Sequence, residues 1–404
     1  MSEPLVIIGN GMAAARLVDE LAKRSLGRYA IAVVGEEPRL AYNRVLLSSV
    51  LAGEVPASDI ELKPAQWWRA RGVTLRYGCA AVSVDAAART VTLADGNQLG
   101  FRKLVFATGS QPIKPPIPGM QRAGVYTFRD ISDVETITAA AAGARRVVVI
   151  GGGLLGLEAA YGLAKAGAAV TLIHLMDRLM ERQLDGRAAA MLKQAVEAKG
   201  IRVVLEAQTL GIGGTDRVEH VMLKDGRVIA ADAVVVAIGI KPRSELAQSA
   251  GLKTGRGIIV DDAMETSARG IHAIGECAEH DGVCYGLVEP AYEQARVLAD
   301  GLSGQAARYR GSVLATNLKV SGVHLFSAGD FLGGDGTEQI VLADPGLGTY
   351  KKLVIADGRL AGVVLFGDTA DGLWYLDLIR ARTPIGAFRN HLMFGRVFTE
   401  RQAA

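Results

Sequence analysis

Two glycine turns constrain this chain more than any other feature. Gly9-Asn10-Gly11-Met12-Ala13-Ala14 follows an apolar strand pattern at residues 5–8 and leads into a helix pattern with Leu17, Val18 and Leu21 on one face. Gly151-Gly152-Gly153-Leu154-Leu155-Gly156 repeats the arrangement, with a β-branched run at 147–150 before it, a helix pattern from Leu157 to Gly167 after it, and a further strand pattern at 170–173. In such a turn the first glycine permits the sharp bend and the second lets a pyrophosphate approach the backbone. The small third position allows close helix packing, with the helix N-terminus facing the phosphates. Either pattern alone is weak; a strand before and a helix after make it a dinucleotide fingerprint. Two copies predict an α/β chain with two Rossmann-like dinucleotide-binding domains.

The copies differ in their acidic partner. After the strand pattern at 31–34 the first has Glu36, suited to a ribose hydroxyl. At the matching place the second has His174, followed by Leu175, Met176, Asp177 and Arg178. A histidine can hydrogen-bond ribose hydroxyls or, with Arg178, help hold a 2′-phosphate; a surface histidine beside a helix-start arginine is the plain alternative, and the sequence leaves both open. Each copy ends alike, in Leu104-Val105-Phe106-Ala107-Thr108-Gly109 and Val234-Val235-Val236-Ala237-Ile238-Gly239, which places Ala107, Thr108, Gly109 and Gly239 among the cofactor-side candidates. Hairpin turns are expected at Asp95-Gly96, Asp225-Gly226 and Asp357-Gly358. Pro112, Pro115, Pro116 and Pro118 mark one interdomain crossing and Lys241-Pro242 the return. The expected domains are one dinucleotide-binding domain at 1–114 and 242–312, interrupted by a second at 115–241, and a small C-terminal α+β domain at 313–404.

The formal net charge of +3, from 45 basic and 42 acidic residues, gives no bulk attraction to nucleic acid or anionic lipid. The apolar N-terminus carries Glu3, Asp19 and Glu20, unlike an export signal, and the apolar stretch 147–164 contains Glu158 and three consecutive glycines, unlike a membrane span. A cytoplasmic chain with neither nucleic-acid nor membrane partners is expected. Three cysteines, Cys79 in a strand pattern and Cys277 and Cys284 flanking a loop, lack metal, iron–sulfur or redox-pair spacing, and none stands near Tyr42 to Ser49. This spacing argues against disulfide reductase chemistry. No metal site is expected.

A third motif, Ala273-Ile274-Gly275-Glu276-Cys277-Ala278, ends an apolar run in glycine and a carboxylate. With the two fingerprints it resembles the two-dinucleotide flavoprotein reductases, whose acid here, usually Asp, faces the ribityl and pyrophosphate region of FAD. Further stretches resemble the flavoprotein part of assimilatory nitrite reductase large subunits and the electron-transfer subunits of assimilatory nitrate reductases: Glu36-Glu37-Pro38, Ala41-Tyr42-Asn43-Arg44, Leu46-Leu47-Ser48-Ser49, Leu157-Glu158-Ala159-Ala160, Leu179-Met180-Glu181-Arg182-Gln183-Leu184-Asp185 and Gly286-Leu287-Val288. Related ferredoxin and rubredoxin reductases place a flavin-touching lysine where this chain has Ser49.

The resemblance implies an FAD-dependent NAD(P)H oxidoreductase, with Glu158 near nicotinamide and flavin and with Arg129, Arg44, Ser49 and Ala81 on the FAD. It adds Val288, Glu289 and Pro290 to Gly275 and Glu276 as FAD-side candidates. Hydride passes from nicotinamide to flavin without a general acid or base, and the flavin joins a two-electron donor to one-electron acceptors. The implied partner is a protein carrying an iron–sulfur or molybdenum centre, first the catalytic subunit of assimilatory nitrate reductase. A ferredoxin or rubredoxin reductase, the electron-input part of a nitrite reductase, and a flavin redox sensor are the alternatives. The run from 373 to 398, with Trp374, Tyr375, Phe388, Phe394 and Phe398 among Arg380, Arg382, Arg389 and Arg396, reads either as a docking surface or as an amphipathic helix that closes the third domain or joins a homodimer.

Overall fold

The computed structural model describes residues 2–400 apart from Leu26, Ala142, Ala144 and Ser321. Two compact units are present: residues 2–47, 55–113 and 240–312 form the first, and residues 48–54, 114–239 and 313–400 the second.

In the first unit Leu5, Val6, Ile7 and Ile8 are all buried, the continuous apolar run expected of a strand covered on both faces. That strand, Glu3–Ile8, lies at the centre of a five-stranded parallel sheet in the order Ile271–Ala273, Lys103–Phe106, Glu3–Ile8, Tyr29–Gly35, Thr74–Tyr77. Helix Met12–Arg24 buries Ala14, Leu17, Val18 and Leu21, a stripe at helical spacing, and packs against helix Val288–Leu302. An antiparallel side sheet of Ala81–Asp85, Thr90–Leu93 and Gln98–Gly100 contains the first expected hairpin. The segments expected as crossings pair with each other: Ser110–Pro112 runs antiparallel to Ile240–Pro242. Cys79, expected in a strand, lies instead in the connection between Thr74–Tyr77 and Ala81–Asp85, where Gly78 at φ 74° has already turned the chain.

The second unit repeats the plan. A parallel sheet in the order Arg202–Val204, Ala169–Ile173, Arg146–Ile150, Ala233–Val236, Val125–Thr127 carries helices Leu154–Lys165 and Gly186–Glu197, and the hairpin at Asp225-Gly226 lies in an antiparallel side sheet. A five-stranded antiparallel sheet follows, ordered Ala315–Val320, Val323–Gly329, Arg359–Phe366, Thr349–Ala356, Glu338–Asp344, with helix Gly372–Arg380 on it. The expected α/β class with a small C-terminal sheet domain therefore holds. The tail is not one amphipathic helix: Arg382, at φ 51°, and Pro384 follow the end of helix Gly372–Arg380, and short helical turns Leu392–Phe394 and Arg396–Glu400 complete it. No helix among the described residues is long and apolar enough to cross a membrane.

Candidate functional site

The two glycine turns use their residues alike. Gly9 has φ +112° and a Cβ there would lie 2.0 Å from the Ala107 carbonyl oxygen; Gly151 has φ +122° and a Cβ there would lie 2.2 Å from that of Ala237. Only glycine fits either place. Gly11 and Gly153 are the N-caps of helices Met12–Arg24 and Leu154–Lys165, and neither helix has a side-chain cap or an acid in its first turn. A Cβ on Gly11 or Gly153 meets nothing within 4 Å. Each helix thus presents uncapped N–H groups to open space, the arrangement a pyrophosphate requires. The third position differs: Ala14 is accommodated, whereas a Cβ at Gly156 would sit 1.9 Å from the Gly151 carbonyl oxygen.

Around the first turn the fold gathers most of the FAD-side candidates. A Cβ at Gly275 would lie 3.0 Å from that of Ala13, beside Met12 at the helix start, so the third motif abuts the fingerprint. The Gly275 N–H donates to Oε1 of Gln294, a fully buried residue that the sequence reading did not single out (2.7 Å). Glu276 accepts from the Ser110 hydroxyl (2.8 Å), one residue past Gly109, and the Thr108 hydroxyl donates to the Arg243 carbonyl (2.7 Å). Arg44 pairs with Glu37, lies over the Tyr42 ring and feels the charge of Glu276. Glu36 is held by Arg243, another residue without a motif signal (2.6 Å). Val288 opens helix Val288–Leu302, again without a side-chain cap; Glu289 in its first turn pairs with Arg296 (3.1 Å), and Pro290 is buried. Ala81 pairs with Leu93 in the side sheet.

The remaining candidates belong to the second unit. Gly239 follows strand Ala233–Val236 at φ 119°. Leu154 and Leu155 open the helix after the second turn, and Glu158 lies one turn further along it. Burial pushes the Glu158 carboxyl up to about 8, against a hydrogen bond from the Ser48 hydroxyl that favours its ionised form. Ser49 is in the short helix Leu47–Leu51. Arg129 follows strand Val125–Thr127, beside Asp133, whose carboxyl is pushed up to about 6 by burial and by Asp130. Arg178 pairs with Asp177 (3.1 Å).

His174 is not the surface histidine of the plain alternative, being only 9% exposed. Its Nδ1 accepts the Gly152 N–H (3.0 Å), so the ring proton is on Nε2, which donates to Glu181 (3.0 Å). The hydrogen bonds Gly9 N–H to Val34 and Gly151 N–H to Ile173 make Gly35 and His174 equivalent positions, so the match to Glu36 is Leu175 and not, as expected, His174. The copies have exchanged bulk. A Cβ at Gly35 would lie 2.7 Å from that of Asn10, and a Cβ at Gly152 would lie 2.6 Å from Cγ of His174.

Residues 3–297 match the model of the pyridine nucleotide-disulphide oxidoreductase family, and residues 315–383 match the C-terminal domain of rubredoxin NAD+ reductases. The chain belongs to the pyridine nucleotide-disulphide oxidoreductase family. It is 44% identical over 94% of its length to a nitrite reductase [NAD(P)H] of Bacillus subtilis, covering 48% of that protein. It is 42% identical over 96% of its length to the assimilatory nitrate reductase electron transfer subunit of the same organism, covering 51%. The chain spans about half the length of these curated relatives. Among solved structures, a ferredoxin reductase from Rhodopseudomonas palustris is matched over 100% of both chains at 26% identity, with a TM-score of 0.91.

Proposed function

We propose that this chain takes hydride from NAD(P)H and delivers electrons to a protein partner with an iron–sulfur or molybdenum centre, first the catalytic subunit of an assimilatory nitrate reductase. The observation that carries this is the pair of uncapped helix N-termini behind Gly11 and Gly153, one in each unit and each opening onto free space. When bound, FAD supplies hydride acceptance and onward electron transfer. In this reading 1–114 and 242–312 bind FAD, with Gly11 and the helix behind it on the pyrophosphate, Glu36 on the ribose, and Arg44 and Glu276 on the flavin side; 115–241 binds the nicotinamide nucleotide at Gly153, with Glu158 and Arg129 toward the reacting rings, and 313–404 meets the partner. Three cysteines cannot furnish a four-thiolate cluster, so this chain's electrons leave directly from the flavin. The likeness to the Bacillus subtilis nitrate reductase electron transfer subunit and the serine at position 49 favour nitrogen assimilation in the cytoplasm.

The test is spectroscopic, then kinetic. The purified protein, with FAD added, should show flavin bands that NADH or NADPH bleaches, and the reduced protein should turn over rapidly with ferricyanide. Slow reoxidation would indicate a redox sensor instead, and absence of flavin uptake would end the proposal.

A further inference from the structure

We infer that Glu181 is the acid that recognises the ribose at the second nucleotide site, held in place by His174, and that it selects a nucleotide with a free 2′-hydroxyl over one carrying a 2′-phosphate. The inference rests on the nucleotide assignment made above. At the strand end the second copy has no carboxylate, because the position equivalent to Gly35 is filled by the His174 ring and the position equivalent to Glu36 is Leu175. An acid is reached through the ring. His174 spends Nδ1 on the Gly152 N–H and Nε2 on Oε2 of Glu181, seven positions further on, so the imidazole links the fingerprint backbone to a carboxylate. Gly152 is grasped from both sides, since its carbonyl accepts the N–H of Met180 (3.0 Å). Met180 is fully buried at φ 50°, a left-handed conformation unusual for a side chain of this size, and it sets the direction in which Glu181 leaves the chain. Glu181 remains 23% exposed at its side chain, and Oε1 has no hydrogen-bond partner among the described residues. A carboxylate with one oxygen anchored and one open accepts a ribose hydroxyl and repels a phosphate dianion. Arg178, the cation that would answer a 2′-phosphate, directs Nη1 at Asp177, a second carboxylate beside it (3.1 Å), while its Nε is buried without a hydrogen-bond partner among the described residues.

FAD-loaded protein titrated calorimetrically with ADP-ribose and with its 2′-phosphorylated form tests this without turnover. The wild type should prefer ADP-ribose by about tenfold or more. Glu181→Gln keeps the length and can still accept the His174 Nε2–H, so the fold is retained, while the loss of charge should erase most of the preference by tightening the phosphorylated ligand. Equal or tighter binding of the phosphorylated form by wild type, an unchanged ratio in Glu181→Gln, or binding of neither ligand would overturn the inference. Selective ADP-ribose binding in a protein that NADH fails to reduce would instead remove the reductase reading and leave Glu181 in its role.

Discussion

A Cβ added at Gly11 or Gly153 meets no protein atom within 4 Å, and Gly153 has an ordinary φ of −82°, so a valine there is tolerated by the fold and intrudes only on what lies against the helix N-terminus. Gly153→Val is therefore expected to keep its flavin and melting temperature while flavin reduction by NADH slows about tenfold or more; loss of flavin as well would mean the two turns have been assigned the wrong ligands. His272 offers a residue whose effect belongs to stability alone. Burial holds its pKa down to about 4, from 6.5, and neither ring nitrogen has a hydrogen-bond partner. The unfolded chain then takes up a proton near pH 6.5 that the folded chain refuses until about 4, so stability present above 6.5 is lost as pH falls through that window. The full loss is about 3 kcal/mol. Urea unfolding at several pH values should show that slope in the wild type and a flatter one in His272→Leu. Glu158 works in the opposite direction. Its carboxyl stays protonated up to about 8, so its contribution to stability is greatest below 4.5 and falls as pH rises between the two values. If its ionisation governs nicotinamide reactivity, the flavin reduction rate should change near pH 8 in the wild type and lose that step in Glu158→Gln.

Helix Leu154–Lys165 shows what the sequence could and could not reveal about an element. Its N-terminal glycines were legible because phosphate binding demands a fixed local spacing, as were all three hairpins, whose Asp-Gly turns are dictated by backbone geometry. Its outer face was not legible, because its partners lie far away in the chain. Glu158, Gly162 and Lys165 share that face and meet Ser48, Leu51 and Glu54 respectively, so segment 48–54 belongs with this helix. A Cβ at Gly162 would already lie 3.0 Å from Cγ of Leu51, and Gly162→Leu should displace the segment, cost about 1–3 kcal/mol by overpacking and expose 48–54 to limited proteolysis. Asp185 was also opaque, although it stands in a stretch singled out by resemblance. It caps helix Gly186–Glu197 through the Ala188 N–H (2.9 Å), accepts the Tyr350 hydroxyl (2.6 Å) and faces the buried ammonium of Lys352 (3.6 Å). Cap loss alone costs about 1 kcal/mol, whereas leaving a buried charge unpaired costs about 3 kcal/mol or more. Asp185→Ala should consequently destabilise by the larger amount in chemical unfolding, and Asp185→Ala with Lys352→Met should recover much of it; recovery of nothing would show that the charge pair is incidental.

At the scale of the whole molecule, duplication made the architecture readable, since each fingerprint declared a sheet, whereas the division of labour in the C-terminal tail depended on burial that composition does not report. Burial divides the residues of that tail into two groups. Tyr375, Leu376, Ile385 and Leu392 are buried in the core of the antiparallel sheet domain, and the Tyr375 hydroxyl donates to the Leu392 carbonyl (2.7 Å), so they close the domain. Leu373, Phe394, Val397 and Phe398 are 67%, 57%, 59% and 55% exposed, and the Phe394 and Phe398 rings lie 6.0 Å apart. Deleting the tail would therefore confuse unfolding with undocking, and substitution of exposed residues is the cleaner probe. If this surface receives the electron acceptor, Phe394→Ser with Phe398→Ser should leave NADH-to-ferricyanide turnover unchanged, because a small oxidant needs no docking face. The same variant should lower NADH-dependent nitrite formation by a purified assimilatory nitrate reductase catalytic subunit about tenfold, since exposed aromatics at an interface centre contribute on the order of 1–2 kcal/mol each. Equal loss in both assays would mark the pair as structural. Wild-type protein that yields no nitrite but rapidly reduces a ferredoxin or rubredoxin would move the acceptor to that class, and the variant assayed with that acceptor would then show whether the same face receives it.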